Sequence, residues 1–132
     1  MTEAEFKERT KQIGQRVIRM VDALPSGRAA DVIARQVLRS GTSVGANYRA
    51  ACRAQSRKHM LSKLRTVEEE ADETLYWIET IMDAGMIRRT KVESLHSEVE
   101  AVLKMVVAST RTLARGLAQS KIQNRKSRTA IP

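Results

Sequence analysis

The chain has 132 residues, enough for one domain with a sizeable core. Hydrophobic residues make up 42% but aromatics only 3%, with two prolines and six glycines, so the core must be aliphatic and helices are favoured over a sheet. The net charge is +9 and the pI near 10.3, which suits an anionic partner; the single cysteine, Cys52, excludes an internal disulfide and fits a reducing compartment.

No apolar run approaches ~18 residues, so no membrane span is predicted. The N-terminus, MTEAEFKERTKQ, is charged and lacks the apolar core of a signal peptide. A cytoplasmic protein without membrane attachment is expected.

The spacing predicts four helices. The first runs from Ala4 to Leu24, with Thr2 and Glu5 at capping-box spacing. Phe6, Ile13, Val17, Val21 and Leu24 recur every three or four residues, or at multiples of that spacing, and Pro25-Ser26-Gly27 stops the helix. The second starts near Arg28 to Asp31 and ends near Ala54. Placed on one helix, Arg28, Arg35, Arg39, Arg49, Arg53 and Arg57 fall within an arc of about 80°. Ile33, Val37, Val44, Tyr48 and Ala51 fall on the opposite side. The run Ser40-Gly41-Thr42-Ser43 argues for a break, since each glycine costs about 1 kcal/mol relative to alanine. The phase of the arginines on either side argues for continuity, and continuity is the reading adopted. Gly41 and Gly45, one turn apart, would let another helix approach closely.

Ser56 is the expected N-cap of the third helix, from Lys58 to Ala84. Met60, Leu61, Leu64, Val67, Ala71, Leu75, Ile78 and Met82 form its apolar face. Trp77 and Ile81 project from another side, which marks either a subunit interface in a homo-oligomer or the edge of the core. Gly85 suits the position just past the helix end. Thr90 and Glu93 form a second capping box, opening a fourth helix. There Leu95, Val99, Val102, Val106, Ser109, Leu113 and Leu117 follow a seven-residue repeat. From Lys121 the periodicity ends. Lys121, Arg125, Lys126 and Arg128 occur without acids, so residues 121–132 read as a basic disordered tail behind a bundle domain of residues 1–120. Long helices joined by short loops imply an all-α, antiparallel up-down-up-down four-helix bundle.

Charge is uneven along the chain. Residues 28–60 carry +6 and residues 88–132 carry +7, while residues 61–87 carry −5. The arginine stripe therefore has two readings. It neutralises phosphates with help from the tail, as the planar guanidinium does well. Alternatively it pairs with the acids of the third helix, where exposed pairs contribute only ~0–1 kcal/mol each. Arg39 suits that structural role best, because it borders the glycine-containing segment.

Catalytic patterns are lacking. His59 and His96 have no metal-ligand spacing, and the acids of the third helix lack the Glu-x-x-His of di-iron bundles. Ser40 and Ser43 have no evident base, and no phosphate-binding loop or nucleophile elbow is present. Cys52, among alanines, reads as a small packed residue. The helices are too long for a compact helix-turn-helix reader. No enzyme, metal or cofactor is expected.

The segments RQVLRSGTSVGAN and KL…EEADETLYWI resemble the bacterial four helix bundle, or 23S rRNA intervening-sequence, protein family. The resemblance rests on Gln36, Arg39, Ser40, Ser43, Gly45 and Asn47, then on Lys63, Leu64, Glu70, Ala71, Glu73, Thr74, Tyr76 and Trp77. It spans about 110 residues. Ala50 departs from the glutamate that many members carry, which makes the second helix more basic. The resemblance implies a homopentameric barrel. It also implies relatives encoded within 23S rRNA genes, and others similar to the accessory determinant of diversity-generating retroelements, which binds nucleic acid and a reverse transcriptase.

The expected function is that of a non-enzymatic, oligomeric RNA- or DNA-binding accessory protein. The alternative is a scaffold partnering a reverse transcriptase. Arg28, Arg35, Arg49, Arg53, Arg57, Lys121, Arg125, Lys126 and Arg128 are the candidate phosphate contacts. Trp77 and Ile81 are the candidate interface. Gln36, Arg39, Ser40, Ser43, Gly45, Asn47, Glu70 and Glu73 form the candidate structural motif.

Overall fold

A computed structural model describes the backbone of residues 1–130 and the side chains of residues 1–126. Four α-helices make up the chain, with no strand among the described residues: α1 (Glu3–Asp22), α2 (Arg28–Cys52), α3 (Arg57–Asp83) and α4 (Arg89–Ala130). Helix α1 packs on α2, α2 on α3 and α3 on α4, and α4 also touches α1. Val17, Val37, Val44, Val67, Ile78, Val99 and Val102 are fully enclosed, so the core is aliphatic as the composition requires.

The ends of the helices follow local chemistry. Thr2 and Glu5 form a reciprocal capping box on α1, and Ser56 accepts from the His59 amide at the start of α3. Gly85 takes φ +69° just past α3. Its amide donates to Met82 O and the Met86 amide to Ile81 O, which satisfies carbonyls the helix leaves open. The expected capping box at Thr90 does not form, because α4 begins at Arg89 and Thr90 already lies inside it.

Helix α2 runs unbroken through Ser40–Ser43. Its hydroxyl side chains bond back onto their own helix, Thr42 Oγ1 to Leu38 O (2.6 Å) and Ser43 Oγ to Arg39 O (2.6 Å). The glycines serve the crossing with α1. A Cβ on Gly41 would stand 2.8 Å from Val17 Cγ2, and one on Gly45 would stand 3.1 Å from the Lys11 backbone. Gly14 reciprocates from α1, where a Cβ would lie 3.3 Å from Thr42 Cα. Phe6 meets Tyr48 edge to face at 4.7 Å. Residue numbers thus rise along α1 as they fall along α2.

The structure departs from four further expectations. The six arginines do not share one helix. Beyond Cys52 the Arg53 and Ala54 amides turn back onto Ala50 O and Ala51 O, and the Ser56 cap starts a new helix, so Arg57 belongs to α3. Ile81 is fully buried in the protomer core and Trp77 packs half-buried against it. A helix flanked by two neighbours needs an apolar arc wider than one stripe, and α3 lies between α2 and α4. Ile81 therefore cannot meet another subunit. Residues 121–130 are helical rather than a disordered tail. No proline or glycine interrupts the run from Leu117 to Ala130, and its lysine, arginine and glutamine residues are good helix formers. The repeat on α4 also drifts: after Val106 it is Thr110, not Ser109, that is buried, as a straight helix of 3.6 residues per turn demands.

Candidate nucleic-acid interface

The motif residues of α2 and α3 form one connected cluster. Arg39 bonds Glu70 Oε2 at 3.2 Å and also Glu73. Glu73 in turn accepts from Trp77 Nε1 at 3.3 Å. The Arg39 hydrogen bond holds the Glu73 carboxyl below its usual range, whereas burial pushes Glu70 up. One turn inward the Thr74 hydroxyl lies 2.9 Å from Ser40 Oγ and 2.7 Å from Glu70 O. Asn47 Nδ2 donates to Ser43 O at 2.9 Å. Arg39, Ser40, Glu70 and Glu73 thus tie α2 to α3, Gly45 serves the α1–α2 crossing, and Ser43 and Asn47 bond back onto α2 itself; Arg39 is engaged by acids rather than left for phosphate. Gln36 is half-buried on the same helix.

The remaining cations separate. Arg49 and Arg53 line a groove of ≈ 580 Å³ between α1 and α2. Facing them from α1 are Lys7 and Lys11; Ala4, Gly14, Gly45, Ala46 and Thr42 make a small floor between them, and Gln15 and the exposed Ile18 line the remainder. Glu8 is the acid on this groove, and it accepts from Gln12 Nε2 at 2.9 Å. No salt bridge engages Lys7, Lys11, Arg49 or Arg53 among the described residues. The close α1–α2 crossing is what brings these four cations together.

Arg28 and Arg35 are exposed towards the other end of α2 and do not line this groove; Arg35 Nε donates to Asp31 O at 3.3 Å. Arg57 opens α3. Lys121 lies in a different groove, between α3 and α4. Arg125 and Lys126 are exposed on the last turns of α4, and the side chain of Arg128 lies outside the described residues. Lys7 and Lys11 were not among the sequence candidates. Gly14, in phase with them on α1 and spaced to meet Gly41 and Gly45, was the available clue.

Near the same end, Cys52 lies beside Tyr48 and Glu3. Burial pushes its thiol up from the ordinary range, and the Glu3 hydrogen bond adds to this. No group of three His, Cys, Asp or Glu side chains among the described residues could hold a metal ion. None of the described helices is long and apolar enough to cross a membrane.

Comparisons with known proteins agree with this architecture. A crystal structure of a protein of unknown function from the S23 ribosomal protein family, from Bacteroides thetaiotaomicron VPI-5482, is similar at a TM-score of 0.77 and 32% identity. The similarity covers 84% of this chain and 99% of that one. No curated protein matches. The sequence profile described as 23S rRNA-intervening sequence protein matches residues 2–108. The chain belongs to the 23S rRNA-intervening sequence protein family.

Proposed function

We propose that this protein is a non-enzymatic accessory protein of the cytoplasm that holds RNA or DNA by its phosphate backbone in the α1–α2 groove. One observation carries the reading: two helices converge Lys7, Lys11, Arg49 and Arg53 on a small-residue floor without a salt bridge to neutralise them. Small floor residues let a bulky polyanion approach, and cations of this kind contact phosphates irrespective of base sequence. None of the four aromatic residues lines the groove, so base stacking adds nothing there.

The short loops and the opposed contact order of α1 and α2 support an antiparallel up-down-up-down bundle. The family resemblance supports its assembly as a homopentameric barrel. The same resemblance offers a reverse transcriptase as partner, with the cationic groove meeting an RNA-laden protein; a pull-down that survives nuclease would favour that form.

Binding of a generic RNA duplex, titrated at several salt concentrations, tests the proposal. Four phosphate contacts give a log–log salt slope of about −3.6, and Arg49→Glu with Arg53→Glu should lower affinity and flatten the slope by about 2. Binding that ignores salt, or that survives the double reversal unchanged, refutes it.

A further inference from the structure

The α3–α4 side carries a groove lined mainly by acids. Glu68, Glu69 and Asp72 of α3 line a groove of ≈ 470 Å³ whose floor is Leu103 and Val107 of α4, with Arg65 at its border. Glu69 and Asp72 are exposed, and no salt bridge among the described residues neutralises the three acids. Phosphates are repelled from such a site; a cationic segment with an apolar side chain fits it.

The chain carries such a segment. Lys58, Leu61, Arg65 and Glu69 of α3 share a second, adjoining groove with Leu117, Ala118 and Lys121 of α4, so the start of α3 lies near that level while α4 continues to Ala130. The nine residues after Lys121 project about 14 Å beyond the start of α3. On this extension Ile122 is 51% exposed, beside Lys121 and Arg125. Ile122 cannot fold back onto Leu103 of its own chain. Leu103 and Ile122 sit on one continuous helix, about 28 Å apart.

We propose that the C-terminal extension of α4 docks in the acidic α3–α4 groove of a second copy of this chain, joining subunits head to tail. Lys121 and Arg125 meet Glu68, Glu69 and Asp72, and Ile122 covers Leu103 and Val107. An interface between two different surfaces repeats from subunit to subunit and closes into a ring when its rotation allows. The inference rests on the oligomeric part of the proposed function, and it leaves the α1–α2 groove open to nucleic acid.

Solution mass by light scattering tests it, with helical content checked by circular dichroism. The wild-type chain should have a multiple of 14.8 kDa. Lys121→Glu with Arg125→Glu should fall to the protomer mass, as should Glu68→Lys with Glu69→Lys and Asp72→Lys. All five reversals in one chain should restore the wild-type mass. If a reversal unfolds the chain, the milder Lys121→Gln with Arg125→Gln should still shift the mass downward at a given concentration. Three results overturn the proposal. They are an oligomer unmoved by either reversal, a five-fold variant that stays monomeric although each half disperses the oligomer, and dispersal by Arg49→Glu with Arg53→Glu but not by the extension variants. A monomeric wild type overturns this inference and the oligomeric reading together, whereas RNA binding by the α1–α2 groove stands or falls on its own titration.

Discussion

Replacing Gly41 by alanine should destabilise the protein, although alanine is the better helix former. The new Cβ would lie 2.8 Å from Val17 Cγ2 and 3.1 Å from Val17 Cβ and Cγ1. Val17 is fully buried and β-branched, so it has no second rotamer into which to turn. Overpacking of this kind costs about 1–3 kcal/mol, against a gain of about 1 kcal/mol in helix propensity. The net loss is up to about 2 kcal/mol, taken from α1–α2 packing. Gly116 on α4 gives the opposite case, since a Cβ there meets nothing within 4 Å. Gly116→Ala should therefore stabilise by up to about 1 kcal/mol. Urea unfolding at one fixed protomer concentration separates the two variants, because any oligomer makes stability depend on concentration. A Gly41→Ala chain as stable as Gly116→Ala would refute the close-packing argument. In a double-mutant cycle, Val17→Ala should relieve part of the loss, with a coupling of order 1 kcal/mol.

The pairing of α1 with α4 gives a pH-dependent prediction. Arg9 Nε and Nη2 donate to the two oxygens of Glu98 at 2.8 and 2.7 Å, and this hydrogen bond holds the Glu98 carboxyl below its usual range. A depressed folded-state pKa stabilises above the ordinary carboxylate range and ceases to do so as pH falls through the folded value. Arg9→Met should therefore cost about 1 kcal/mol at neutral pH and less in acid, measured by urea unfolding at both; a difference independent of pH would count against it. At the α2–α3 contact, Ser40→Val removes the partner 2.9 Å from Thr74 Oγ1 in a fully enclosed position while Glu70 O still accepts from Thr74, with an expected loss of about 0.5–1.5 kcal/mol in thermal or urea unfolding. A neutral result there would show that the two hydroxyls do not depend on each other.

The helices were legible because their periodicity and caps are local. Thr2, Ser56 and Gly85 act within a turn of themselves, and each does in the fold what its residue type implies. Continuity of α2 was legible from the phase of Arg35, Arg39 and Arg49, and the role of Arg39 from its place beside Gly41. What failed depended on neighbours. Ile81 read as surplus because a single helix shows one stripe, and only the presence of α4 beside α3 explains the wider apolar arc. Arg57 read as part of the α2 stripe because the turn at Ala54 competes with a helix of good propensity, and the Ser56 cap decides the outcome. Lys7 and Lys11 escaped notice because their meaning comes from Arg49 and Arg53, some forty residues away, across a crossing set by glycines.

Cys52 has a practical consequence. Thiol reagents attack the thiolate, and burial pushes this thiol above its ordinary range, which disfavours the thiolate. It is the chain's single cysteine. A cysteine introduced at an exposed position such as Arg53 or Gln119 would thus react far faster than the native one. Spectroscopic probes can be directed to a chosen face, with the labelling of the native chain at Cys52 as the background measurement. The distance between a probe beside the cationic groove and one on the α4 extension can then be followed in the assembled protein.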